Sequence, residues 1–192
     1  MKLNLANSIT AVRILAIPLC VLLYLLPFGW AENAAALVFA VAAISDFVDG
    51  YVARKFDQMT PFGAFLDPVA DKLIVTVALV LLVFNQQSWM MTVIAVIIIG
   101  REITVSALRE WMASQQASSR VAVSMVGKIK TTFQLIGLSF MLWGEDLWGM
   151  PIVEMGFAAL LIASAMTLWS MWVYLSAAWP VLSRDNNPDP AA

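Results

Sequence analysis

Four aspartates stand in a sequence that is otherwise poor in charge: Asp46 and Asp49, then Asp67 and Asp71. Residues three or four apart share a helix face, so each pair projects to one side of its helix. The segment between the pairs is short, which makes the two helices antiparallel neighbours and lets the pairs face each other at similar depth. Four converging carboxylates repel one another. Arg54, Lys55 and Lys72 are too few and too peripheral to neutralise them, whereas one or two divalent cations would. Oxygen donors without histidine or thiolate favour Mg²⁺, Mn²⁺ or Ca²⁺ over zinc or copper. Plainer readings stand beside this one. Asp67 precedes Pro68 and could cap a helix with proline at its first position, although Thr60-Pro61 offers an equally good start. Asp46 and Asp49 could pair with Arg54 or Lys55 in a buried ion cluster.

The elements that carry these residues must suit an unusual composition. The chain has 192 residues, 61% hydrophobic and 12% charged, with a mean hydropathy of +0.84. Soluble domains run at about 45–50% apolar and about 25% charged, so this chain belongs to the membrane class. It has no histidine and one cysteine, Cys20. That excludes a Ser-His triad, a His-ligated metal, an internal disulfide and a CxxC site.

A bilayer crossing needs about 20 mostly apolar residues. The hydropathy predicts an all-α integral membrane protein with six transmembrane helices at 9–28, 33–55, 64–84, 89–113, 121–143 and 151–178. The third and fourth are separated at Asn85-Gln86-Gln87-Ser88. Residues 1–183 then form one six-helix catalytic domain, followed by a polar tail at 184–192 that reads as disordered. All eleven Lys and Arg fall toward one side, and the opposite loops carry only Glu32, Glu145, Asp146 and Glu154. Both termini are therefore expected in the cytoplasm. Trp30, Trp89, Trp143 and Trp148 mark the outer ends, and Trp111 and Trp179 the inner ends.

Read together, the run Asp46-Phe-Val-Asp49-Gly50-Tyr-Val-Ala53-Arg54, eight further residues, and Gly63-Ala-Phe-Leu-Asp67-Pro-Val-Ala-Asp71 resembles the CDP-alcohol phosphotransferase signature DxxDGxxAR, eight residues, GxxxDxxxD. Every fixed position is present. Further stretches are similar to the members that accept glycerol phosphate: Asn7-Ser8-Ile9-Thr10-Ala11-Val12-Arg13, Gly100-Arg101-Glu102, Ser106-Ala107-Leu108-Arg109-Glu110 and Gly127-Lys128-Ile129-Lys130-Thr131-Thr132. The family often has proline before the amino-terminal asparagine, where this chain has Ala6.

The resemblance implies transfer of a phosphatidyl group from CDP-diacylglycerol to sn-glycerol 3-phosphate with release of CMP, in phospholipid biosynthesis. It implies that Asp46, Asp49, Asp67 and Asp71 hold Mg²⁺ or Mn²⁺, as a two-metal site, and that Asp71 is also the general base. It places the donor at Gly50, Ala53, Arg54 and Gly63, with Asn7 and Thr10 closing the cavity. It also implies a homodimer in the bacterial cytoplasmic membrane, with the active site facing the cytoplasm. No feature points to a nucleic-acid partner.

The acceptor's phosphate needs cations as well. Arg101 lies about 12 residues into the fourth helix from its inner end, and cations so deep normally face a polar cavity. Arg101, Arg109, Lys128 and Lys130 are the candidates. Inositol phosphate, serine or phosphatidylglycerol as acceptor keeps the same chemistry. A divalent-cation transporter would need polar residues through both leaflets, and the outer halves of helices 2 and 3 are apolar.

Overall fold

Turn-forming residues divide the apolar sequence into six helices. In a computed structural model, the backbone is described for residues 5–56, 61–114 and 125–182, and side chains for 12–45, 66–114, 127 and 129–179. The helices are α1 (Leu5–Tyr24), α2 (Ala31–Phe56), α3 (Pro61–Gln86), α4 (Trp89–Ser114), α5 (Met125–Trp143) and α6 (Ile152–Leu182). The expected tail at 184–192 lies outside the described residues.

The first helix ends at Tyr24 rather than near residue 28. Pro27 disfavours helical backbone at the residue before it. The chain turns instead through Leu26 N–H donating to Leu23 O (3.1 Å) and Ala31 N–H donating to Phe28 O (2.9 Å). Phe28 and Trp30 stack across this turn at 5.7 Å. The break at Asn85–Ser88 is present: α3 stops at Gln86, Gln87 takes φ 45°, and α4 begins at Trp89. α3 begins at Pro61, whose fixed φ suits a first helical position. Asp67 therefore lies inside the helix, and an N-cap role for it is ruled out.

α1 packs on α2 and α3, α5 lies along α6 and also meets α2 and α3, and α4 bridges α3 and α6. Phe39, Leu79, Leu82, Ile98, Leu138, Leu142 and Leu160 fill the centre. Cys20 is buried there, its Sγ near Ala35 O at 3.6 Å. Large apolar side chains such as Leu15, Val41, Phe84, Val96, Ile103 and Trp172 cover the outside. Among the described residues, Trp89–Ser114 and Ile152–Trp179 are each long and apolar enough to cross a bilayer.

The two ends of the bundle differ chemically. At one end neutral groups pair: Asn85 Nδ2 donates to Tyr24 Oη (3.0 Å), and Asn33 Nδ2 donates to Trp143 O (3.2 Å). The described ion pairs gather toward the other end.

α5 and α6 approach closely because each contributes a glycine. A Cβ on Gly156 would meet Phe140 Cβ at 2.8 Å, Met141 Cγ at 2.9 Å and Gly137 O at 3.0 Å. Small residues permit this kind of crossing in membrane bundles. Gly156→Ala should cost about 1–3 kcal/mol through overpacking. Gly100→Ala, with nothing within 4 Å of its added Cβ, should be neutral or slightly stabilising. Thermal midpoints of the two variants in detergent separate these outcomes.

Candidate active site at the charged end of the bundle

Asp67 and Asp71 lie one helical turn apart on α3, both partly buried. Arg13, three turns along α1, is nearly inaccessible, with its side chain at 1% against 43% for Asp71. Its Nη1 donates to Asp71 Oδ1 at 2.7 Å. A guanidinium buried among apolar residues needs an anion at short range, and this pairing fixes the direction of one Asp71 oxygen. Arg13 thus bridges α1 and α3.

A second cluster joins α4, α5 and α6. The buried residues of α4 recur as Met91, Ile94, Ile98, Arg101, Val105 and Met112. Arg101 occupies a core position in that stripe. Its Nη1 donates to Glu102 Oε1 at 2.9 Å and its Nη2 to Ser170 Oγ at 3.3 Å. Lys130 Nζ donates to the same Glu102 oxygen at 2.8 Å, so one carboxylate neutralises two cations. Tyr174 presents its ring to both Arg101 (5.9 Å) and Arg109 (5.6 Å), within range of cation–π attraction.

Two adjoining clefts open among these residues. The larger, about 340 Å³, is lined by Pro68, Asp71, Lys72, Glu102, Ser106 and Arg109. Glu102, Ser106 and Arg109 share its α4 side because four and three residues separate them on one helix face. The smaller, about 120 Å³, is lined by Asp71, Lys72, Val75, Glu102, Lys130, Thr131 and Gln134. Asp71, Lys72 and Glu102 belong to both walls. Of the expected acceptor cations, Arg109 and Lys130 line a cleft, while Arg101 stands behind Glu102 and lines neither.

The other expected residues can be placed by backbone alone. Asp46, Asp49, Gly50, Ala53 and Arg54 fall on the last three turns of α2, Gly63 on the first turn of α3, Asn7 and Thr10 on α1, and Lys128 on α5. Their side chains lie outside the described residues. Among the described residues, no three acidic, histidine or cysteine side chains converge as a metal group. Asp67 and Asp71 nevertheless supply oxygen donors one turn apart on α3, a donor set that fits a hard divalent cation. Asp46 and Asp49 are on the helix that precedes it.

The sequence model of the CDP-alcohol phosphatidyltransferase family matches residues 3–179, a span that contains all four aspartates and both cationic helices. The chain belongs to this family. Among curated CDP-alcohol phosphatidyltransferase relatives, proteins named CDP-diacylglycerol–glycerol-3-phosphate 3-phosphatidyltransferase from Salmonella choleraesuis (strain SC-B67), Shigella flexneri serotype 5b (strain 8401) and Escherichia coli (strain K12) are 47%, 48% and 48% identical. Each match covers 178 residues, 93% of this chain and 96% of the relative.

Within this phosphatidyltransferase, the structure adds Ser170, Tyr174 and Gln134 to the residues singled out by sequence, and gives Arg13 and Glu102, already marked by the sequence, their partners. Glu102 had a legible signal, being an acid between an arginine and an apolar stretch. Gln134 had one too, as an amide one turn beyond Lys130. Ser170 and Tyr174 had none, because α6 carries no charge near them. Glu102→Gln should leave Arg101 and Lys130 without a shared anion and cost about 2 kcal/mol or more. A drop in thermal midpoint well beyond that of Glu110→Gln is expected, since the structure describes Glu110 as an exposed side chain on the same helix.

Proposed function

We propose that this phosphatidyltransferase joins the phosphatidyl group of CDP-diacylglycerol to the primary hydroxyl of sn-glycerol 3-phosphate, giving phosphatidylglycerol phosphate and CMP. The carrying observation is that Asp71 stands on the wall of both clefts, with Arg109 on one and Lys130 on the other. That juxtaposition supports reading Asp71 as a proton acceptor beside cations able to hold a phosphorylated acceptor. The names of relatives 47–48% identical over nearly the whole chain support the same reaction.

The acceptor oxygen attacks the phosphatidyl phosphorus, the bond to the bridging oxygen breaks, and CMP leaves with that electron pair. The acceptor's proton passes to Asp71. Arg13 holds Asp71 in position for this step through the 2.7 Å ion pair. Glu102 keeps the Lys130 ammonium directed at the cleft wall. Mg²⁺ or Mn²⁺, held by Asp46, Asp49, Asp67 and Asp71, would supply Lewis-acid stabilisation of the negative charge on the attacked phosphoryl group and leaving phosphate. On this reading Gly50, Ala53, Arg54 and Gly63 hold the donor, with Asn7 and Thr10 at its amino-terminal side. Arg109, Lys128 and Lys130 form the cationic acceptor region, with Arg101 behind it on Glu102.

A lipid donor requires a site open to the bilayer. Apolar grooves of about 240 Å³ between α2 and α5 and about 300 Å³ between α1 and α2 run beside the charged end, the second including Arg13. We infer six crossings, both termini and the active site on the cytoplasmic side of the bacterial inner membrane, and a homodimer. The one-sided distribution of Lys and Arg supports the orientation.

Purified protein in detergent, supplied with CDP-diacylglycerol and Mg²⁺ or Mn²⁺, should release CMP with sn-glycerol 3-phosphate. Inositol phosphate, serine and phosphatidylglycerol should be poor acceptors. CMP release with one of those three but not with glycerol phosphate would overturn the acceptor assignment. Asp71→Asn should lower turnover by at least about 10²-fold while donor binding persists, and full turnover in that variant would remove Asp71 as base.

A further inference from the structure

We propose that Gln134 determines acceptor specificity by accepting a hydrogen bond from the secondary hydroxyl of the polyol phosphate. The inference rests on the acceptor assignment above and deepens it. Gln134 lies on α5 with 3% of its surface exposed. Its Oε1 is buried and has no hydrogen-bond partner among the described residues. The side chain lines the 120 Å³ cleft together with Asp71, Glu102 and Lys130.

Other polar side chains of α5 satisfy themselves within the helix: Thr131 Oγ1 donates to Gly127 O at 2.9 Å and Ser139 Oγ to Leu135 O at 2.8 Å. A glutamine oxygen can only accept, and every backbone N–H nearby is already committed to the helix. A buried acceptor without a donor is uncommon, and Gln134 is one of the residues that line the cleft.

The chemistry of the proposed acceptor supplies the missing donor. Glycerol 3-phosphate offers a phosphate, a reacting primary hydroxyl and a secondary hydroxyl. Cations take the phosphate and Asp71 takes the proton of the primary hydroxyl. The secondary hydroxyl needs an acceptor on the same wall. Glu102 and Asp71 are engaged by ion pairs with Arg101, Lys130 and Arg13. Gln134 Oε1 is a neutral acceptor with no donor of its own among the described residues. It stands one turn beyond Lys130, so both project to one face of α5.

The test compares sn-glycerol 3-phosphate with 3-hydroxypropyl phosphate, which keeps the phosphate and the primary hydroxyl and lacks the secondary one. A site built to bond a hydroxyl rejects the analogue without it, so wild-type kcat/KM should be about 10- to 100-fold higher for glycerol phosphate. In Gln134→Met, of similar length and with no oxygen, that preference should collapse to about one, through loss on glycerol phosphate alone. Gln134→Leu provides the same comparison should the methionine variant fold poorly, with KM for CDP-diacylglycerol and the thermal midpoint as controls. Equal losses on both acceptors, or an unchanged ratio, would overturn the proposal and leave Gln134 a packing residue. So would a wild-type ratio near one, which needs no variant. An absence of CMP with either acceptor in the wild type would instead refute the underlying acceptor assignment, and this proposal with it.

Discussion

A charge enclosed by apolar side chains has no water to solvate it, so each buried ion must find a counter-ion within the fold. The charged end of this bundle is arranged by that requirement. Arg13 is tied to Asp71, and Arg101 and Lys130 share Glu102. The first pairing joins α1 to α3, and Lys130 with Glu102 joins α5 to α4, so satisfying the charges also ties these helices together in pairs. Asp46 and Asp49 stand on α2 and Asp67 and Asp71 on α3, within the same two helices as Arg54, Lys55 and Lys72. Carboxylates at this spacing fit a hard divalent cation, which would neutralise their charge.

The apolar remainder serves this end of the molecule. Phe39, Leu79, Ile98 and Leu138 fix the helices to one another, and Gly137 with Gly156 lets α5 and α6 touch. α6 in turn supports Arg101 through Ser170 and lays Tyr174 under two arginines. Arg101 therefore acts at one remove from the clefts: it holds Glu102, and Glu102 holds Lys130. Residues on the cleft walls are backed by residues that line neither cleft, an arrangement that limits the freedom of the cleft side chains.

Much of the fold was legible because polar and turn-forming residues interrupt an apolar chain at few places. Asn85–Ser88 separated α3 from α4 where the structure separates them, whereas Pro27 ended α1 earlier than apolarity alone implied. The aspartate spacing was legible for the same reason, since acids are conspicuous in such a sequence. Partners were not. Arg13 and Asp71 are 58 residues apart, Arg101 and Ser170 are 69 apart, and Glu102 and Lys130 are 28 apart. No local pattern encodes such contacts, which arise only when the helices pack. Asp67 shows the reverse limit: locally it resembled a cap before proline, and only the start of α3 at Pro61 excluded that role.

If the carboxylates of α2 and α3 form a divalent-cation site, phosphatidyl transfer should depend on that cation. The most direct measurement is the initial rate of CMP release from CDP-diacylglycerol and sn-glycerol 3-phosphate by purified protein stripped of metal with a chelator, before and after adding Mg²⁺ or Mn²⁺. The enzyme should be silent in the chelator and recover turnover with either ion. Undiminished CMP release in excess chelator would contradict that dependence.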